Sequence, residues 1–401
     1  MHFESKIKPF ESIFEIHASK IRVSLKIRFG MMKKILSIIA ALILGASVST
    51  GQKLSQPYTF KNIRIEKGLT SNTIQNGLQD SRGFIWICTK DGICRYNGSY
   101  AEIFDNDNYG LMSGRANAIC EDRDGLIWFS TSHSNGWYDP ETDRTGELFC
   151  SDTPIFCIKA DLDGNIWFAS TSVIIRYNKG TKEISRYPAS LTNTIQTGAV
   201  NQDGEVWFTS LNGNLLHFSK QEDRFEELSI FSEEEKKSGA CLTNIVPLGD
   251  GRLLASSNDG RVMKIDPTTG TSVTIARIPD RVRIKCLYVK DAGEYWLGSR
   301  QGLFICNSTD GLTKIIDGTE ANSISDKSIT CIFPDTEGNT WIGTSHGGMD
   351  ICPTAGNRII QLFTHTESNA IFGNVVQTIN RDLSGNLWVG TEDSGLIRQM
   401  A

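Results

Sequence analysis

Proline is scarce in this chain, at ten of 401 residues, and long helix-forming stretches are few. The most apolar run, Ile35–Leu44, is half the roughly 20 residues that a membrane-spanning helix needs. No Cys-x-x-Cys or His-x-x-x-His pair occurs, so no local spacing points to a structural zinc or another metal. No paired-carboxylate motif or Ser/His/Asp spacing marks a catalytic centre, and nothing implies a cofactor. What is abundant is glycine, 37 residues scattered among many short apolar stretches. That composition is of the all-β kind.

Charge is unevenly placed. Of 41 basic and 46 acidic residues, eight and three lie in the first 51 positions, which leaves the remainder at −10. Such a surface repels phosphate backbones, so nucleic acid is not an expected partner. Met31-Met32-Lys33-Lys34, the apolar run and the small residues Gly45–Gly51 have the form of a secretory signal peptide, with cleavage near Gly51–Gln52. Residues 1–30 then read as an upstream extension from a start codon assigned too early, and 31–51 as the signal.

Aligned on tryptophan, the rest of the chain repeats with a period in the range of propeller blades. The copies centre on Trp86, Trp128, Trp167, Trp207, Leu254, Trp296, Trp341 and Trp388. Glycine stands three residues earlier (Gly83, Gly125, Gly164, Gly204, Gly251, Gly293, Gly338, Gly385), and Ser or Thr three later, in all eight. Asp-x-x-Gly is a tight turn whose carboxylate caps backbone N–H groups. The apolar-Trp-apolar run is a buried strand, its indole packed between neighbouring units. Strands A to D, counted outward from a hub, follow: Asp-x-x-Gly joins A to B on one face, and Ser/Thr turns join B to C on the other. The D-to-A segments run on that second face.

These motifs resemble the two-component regulator propeller repeat, Asp-x-x-Gly-Asn-[Ile/Leu]-Trp-[Ile/Val]-Gly-Thr. Asp382–Thr391 fits it fully, Asp335–Thr344 departs at Thr340, and Gly68–Ile74 resembles the family's entry segment. Copies four to six depart further. The resemblance, over about residues 58–401, implies an all-β propeller of four-stranded blades from the periplasmic sensor region of a hybrid two-component system. It also implies a glycan-derived ligand. Further sensor, transmembrane, kinase and DNA-binding modules usually follow in that family and none is present here, so a truncated sensor and a separately encoded one are both open. Any membrane link would run through such modules.

Tyr58–Ile63 precedes the first A strand and so occupies a D-strand position. Joined to copy seven, it closes a seven-bladed ring over 58–357 and leaves 358–401 as the start of a second propeller. Joined to copy eight, it closes an eight-bladed ring. Family precedent favours seven, although an unfinished blade exposes a strand edge.

Cys157, Cys286 and Cys331 share one small-residue column of strand A and are expected to be free, whereas Cys88 and Cys94 lie on adjacent strands and invite a disulfide. His133 and His346 both stand five residues after their Trp, in the B–C turn, and Trp137 lies nearby. Met112 and Trp137 break the polar norm of their segments; Trp137 reads as core or as a sugar-stacking ring. The D-to-A segments bring Asn72, Arg115, Asn117, Asp152, Asn193, Asn244, Arg281, Arg283, Lys327 and Asn374 to the hub. Four of these are basic and suit an anionic sugar, or are simply solvated loop charges. The candidate ligand residues are therefore Asn72, Arg115, Asn117, His133, Trp137, Arg281, Arg283, Lys327 and His346. Three functions follow: a periplasmic sensor of oligosaccharide or another small polar ligand, a protein-interaction propeller that includes a homodimer, and, least favoured, a carbohydrate-active propeller enzyme.

Overall fold

A computed structural model describes residues 58–399 except 106–108, 110–113, 152, 189–193, 292, 320–322, 355–374, 383–385 and 393–394. The extension and signal segment expected over 1–51, and Gly385, lie outside the described residues. Repeat one shows how a copy folds. Strands A (Ile74–Gln79), B (Ile85–Thr89), C (Gly92–Tyr96) and D (Ala101–Phe104) form an antiparallel sheet in that order. In the A–B turn one Asp80 oxygen accepts the N–H groups of Arg82 and Phe84 at 3.0 and 2.9 Å. Gly83 takes φ +91°, a conformation a Cβ would strain.

The carboxylate does more than cap the turn. Its second oxygen accepts the buried indole N–H of Trp86 at 2.7 Å. The same bond ties Trp128, Trp167, Trp341 and Trp388 to Asp122, Asp161, Asp335 and Asp382 at 2.7–2.9 Å. In the B–C turn Thr89 Oγ1 accepts from Asp91 N and donates to Gly92 O, holding the second corner. Three repeats lack the aspartate, and repeat five, with Leu248 there, also has Leu254 in place of the tryptophan. Repeat six has Lys290 there; Trp296 donates to Glu294 at 2.6 Å instead, and the ammonium lies 4.2 Å from the ring centroid. Repeat four has Asn201, whose oxygen caps Asp203 and Glu205 N–H but leaves the buried Trp207 indole without an acceptor.

Seven such sheets of four strands are present, and their A strands neighbour one another in sequence order until that of repeat seven meets that of repeat one. Repeats four to six, weakest in motif, form complete sheets, with Leu254 filling the buried Trp position. The core lies between sheets: Trp86 and Cys88 of repeat one pack with Ile119, Ile127, Phe129 and Tyr138 of repeat two. Repeat seven supplies A (Ile329–Pro334), B (Thr340–Thr344) and C (Met349–Cys352), and its fourth strand is Lys61–Ile63 from the other end of the chain. The register is Lys61 to Ile351, Asn62 to Asp350 and Ile63 to Met349. The closing strand thus joins copy seven, and not copy eight as an eight-bladed ring requires. Repeat eight is a sheet of three strands among the described residues: Val376–Arg381, Leu387–Thr391 and Gly395–Gln399.

The pairing of Cys88 with Cys94 that adjacent strands allow does not form. Cys88 pairs with Ile93 and Cys94 with Ile87, so the two thiols leave opposite faces of the sheet. Cys94 packs toward repeat seven and Cys88 toward repeat two. All ten cysteines, Cys157, Cys286 and Cys331 among them, are free.

The closing seam carries one buried carboxylate. Asp350 accepts Asn62 Nδ2 at 2.7 Å, Ser325 N at 2.8 Å and Ser325 Oγ at 2.9 Å. Burial outweighs these bonds and the nearby Arg64, and lifts its pKa to about 6. The folded value lies above the unfolded one, so the folded state binds the proton more tightly. The seam is therefore firmest below about pH 4, loses stability as pH rises through 4 to 6, and is level above, a change of about 2–3 kcal/mol. Asp350→Asn removes the titration, and thermal melts from pH 4 to 8 will show a flatter profile than the wild type over 4–6. In the tryptophan column, Asn201→Asp supplies the missing indole acceptor and should stabilise by about 1 kcal/mol, whereas Asp335→Asn should cost about 1–3 kcal/mol. Urea unfolding of both variants measures these opposite shifts.

Candidate functional site

The A strands enclose an axial cavity of about 900 Å³ to which all seven ring repeats contribute side chains. One structural device shapes its wall. In repeat one Ile74 pairs with Thr89 and Asn76 with Cys88, so Gln75 is an extra, unpaired residue. The same bulge sets Asn117, Thr243, Lys285 and Thr330 between paired neighbours. A bulge re-aims a side chain, and these residues, with Phe156 and Gln196 at the equivalent positions, line the cavity. The residue just before each of them (Ile74, Ala116, Ile155, Ile195, Leu242, Ile284, Ile329) is buried and apolar throughout. The framework column is thus constant and the adjacent cavity column changes from copy to copy.

The wall is cationic although the chain is acidic. Arg115, Lys159, Arg283, Lys285 and Arg300 line the cavity against one carboxylate, Asp280. Arg115 Nη2 donates to Gln75 Oε1 at 2.6 Å. Arg283 Nη2 reaches across repeat five to Gln196 Oε1 of repeat four at 2.7 Å. Lys285 Nζ donates to Ser328 Oγ at 3.3 Å. Among the described residues none of the five cations forms an ion pair. Burial, and then repulsion from Arg300, lower the proton affinity of Lys285. The cavity can therefore hold a polar, hydrogen-bonding ligand and favours negative charge on it.

Of the residues expected from sequence, Arg115, Asn117 and Arg283 line the cavity, as does Asn244, which donates to Ile284 O at 3.0 Å. Asn72 instead caps Ile65 N at 3.0 Å, and its carbonyl accepts from Gly348. His133 and His346 are exposed in their turns, and His346 is held by Asp326 through its backbone N–H and Nδ1 at 2.9 and 3.2 Å. Lys327 is exposed and does not line the cavity. Trp137 lies half-buried in strand C of repeat two, opposite Gly146, where a Cβ would meet the indole at 2.5 Å. Arg281 ends the turn Pro279–Arg281 beside cavity-lining Asp280; its side chain lies outside the described residues, as do Met112, Asp152, Asn193 and Asn374. Lys159, Lys285 and Arg300 were missed. The signal for Lys285 was present, since it stands eleven residues before its Trp, as Asn117 does. Among the described residues no group of three or more His, Cys, Asp or Glu is placed to hold a metal.

A ring of four-stranded sheets around a polar axial cavity defines a β-propeller. Residues 110–133 and 323–346 match the two component regulator propeller model. The two matches span strands A and B of repeats two and seven, so the chain carries repeats of that kind. No curated protein matches it. The extracellular domain of the hybrid two component system BT3049 from B. thetaiotaomicron superimposes with a TM-score of 0.66 at 20% identity, covering 86% of this chain and 48% of that one. The extracellular domain of BT4673 from the same organism gives 0.62 and 20%, covering 86% and 46%. Virginiamycin B lyase from Staphylococcus aureus gives 0.59 and 16%, covering 74% and 99%. The chain spans about half the length of the two extracellular domains. These likenesses define the fold, which hosts extracellular domains of two component systems and a lyase alike, so function must be read from the site. No helix of the described residues is long and apolar enough to cross a membrane.

Proposed function

We propose that this chain is the periplasmic sensing propeller of a hybrid two-component signalling system and that its axial cavity binds a glycan-derived ligand. The observation that carries the reading is the contrast between a uniform blade framework and a cavity wall of changing polar side chains. Evolved uniformity alone would repeat the wall with the blades; a wall of Gln75, Asn117, Gln196, Thr243 and Lys285 offers an asymmetric set of donors and acceptors, as an oligosaccharide requires. The propeller repeats, the fold shared with extracellular domains of hybrid two component systems and the export-like N-terminus support the same reading.

The protein-interaction reading has its own observation. In repeat eight Val376, Ile379 and Leu396 are 42, 59 and 67% exposed, whereas their register equivalents in repeat five, Leu242, Ile245 and Val262, are at most 4% exposed. These positions pack one blade on another, so the surface fits a further blade-like sheet.

Calorimetry with neutral and acidic oligosaccharides, followed by product analysis, tests the sensing reading. Binding without turnover is expected, and Asn117→Trp, which fills the cavity from one wall, should weaken it at least tenfold with the circular dichroism unchanged. Binding by no oligosaccharide, or binding that Asn117→Trp leaves intact, overturns the cavity as the site, and cleavage would favour the enzyme. For repeat eight, Ile379→Asp with Leu396→Asp should abolish any self-association seen by light scattering while sparing the melting of the ring.

A further inference from the structure

Each ring repeat has three equivalent positions at the same end of its A and B strands: the residue preceding the A–B ladder, the bulge residue of strand A, and the first residue of the B–C turn. Repeat one has Thr73, Gln75 and Lys90, and repeat two has Arg115, Asn117 and Ser132, one cation each. Repeats three, four, five and seven have none at these positions. Repeat six has three: Arg283, Lys285 and Arg300.

The sheet register brings these three together. Ile284 pairs with Ser299 at the end of the ladder, so Arg283 and Arg300 are the next residues outward on the two strands. Lys285 is the bulge residue between Ile284 and Cys286, and all three line the cavity. The contacts within the protein leave most of their donors unused. Arg283 spends one N–H on Gln196 and Lys285 one on Ser328, and none of the three has a carboxylate partner among the described residues. Asp326, the acidic group that acts on Lys285, is engaged by the backbone and ring of His346. Gathering like charges in a partly enclosed cavity is costly, and an oxyanion relieves that cost through short charged hydrogen bonds.

We propose that Arg283, Lys285 and Arg300 form an oxyanion subsite on the sixth-repeat wall, which seats a sulfate, carboxylate or phosphate group of the ligand. The proposal rests on reading the axial cavity as the binding site, and it adds to that reading the chemical class of ligand and the side of the cavity that its acidic group occupies.

Inorganic sulfate, phosphate and acetate, each titrated into the full chain at constant ionic strength set with chloride, test it by calorimetry and by shift of the melting temperature. At least one of the three should bind saturably. The triple variant Arg283→Gln, Lys285→Gln, Arg300→Gln should weaken that binding by about tenfold or more for each cation lost, while Lys327→Gln, outside the cavity, should not. Arg300→Gln alone, at an exposed turn, gives the same direction should the triple variant fail to fold. No saturable response to any of the three anions, or equal responses from wild type and Arg300→Gln, overturns the subsite. Oligosaccharide binding that survives such a failure keeps the sensing reading and removes only its acidic ligand. Anion binding without oligosaccharide binding does the reverse.

Discussion

Lys61–Ile63 is three residues long, yet the ring depends on where it pairs. A row of blades has two open ends, each exposing a face that the next blade would bury. Pairing this strand with Met349–Cys352 makes the seventh sheet from both ends of the chain, so the ring opens only if that sheet is broken. Asn62 reinforces the joint by bonding Asp350, and Asp350 holds Ser325 of the same repeat. The carboxylate is buried to do this, and its raised pKa is the cost.

Once the ring is closed, the repeat does two separate jobs. The glycine turn and the Ser/Thr corner recur in every sheet, the Asp-to-Trp bond in five of the eight repeats, and all act within a few residues of chain. Their constancy keeps the blades alike. The bulge in strand A turns a neighbouring column inward, where no packing constraint applies. Variation there costs the framework little, which is how a symmetric scaffold acquires an asymmetric cavity. The crowding of three cations on one wall follows from that freedom, and the Arg283–Gln196 bond shows the wall crossing from one repeat to another.

Much of the fold was legible because its signals are local. Gly83, Trp86 and Thr89 define two turns and a strand by spacing alone, and copies four to six fold as sheets even where the motif fades. The second task of Asp80 was less legible. A capping carboxylate satisfies the sequence pattern, and only the folded strand brings the Trp86 indole to its other oxygen. The candidate site was read in part. Arg115, Asn117 and Arg283 followed from loop position, whereas Asn72 and His346 shared the same face and turned to other partners. Trp137, read as core or stacking ring, sits against Gly146 on a strand.

The sequence by itself determined the number of copies, the turns that divide them and the buried tryptophan strand, because each is fixed by hydrogen bonds and packing within one short segment. Tertiary structure alone decided which copy receives the first strand, since residues 61 and 351 meet only when the whole ring has curved round. It also decided which polar residues face the axis. Lys285 and Gln75 are ordinary strand residues in the chain, and the bulge together with the radial arrangement of the blades turns them into one wall.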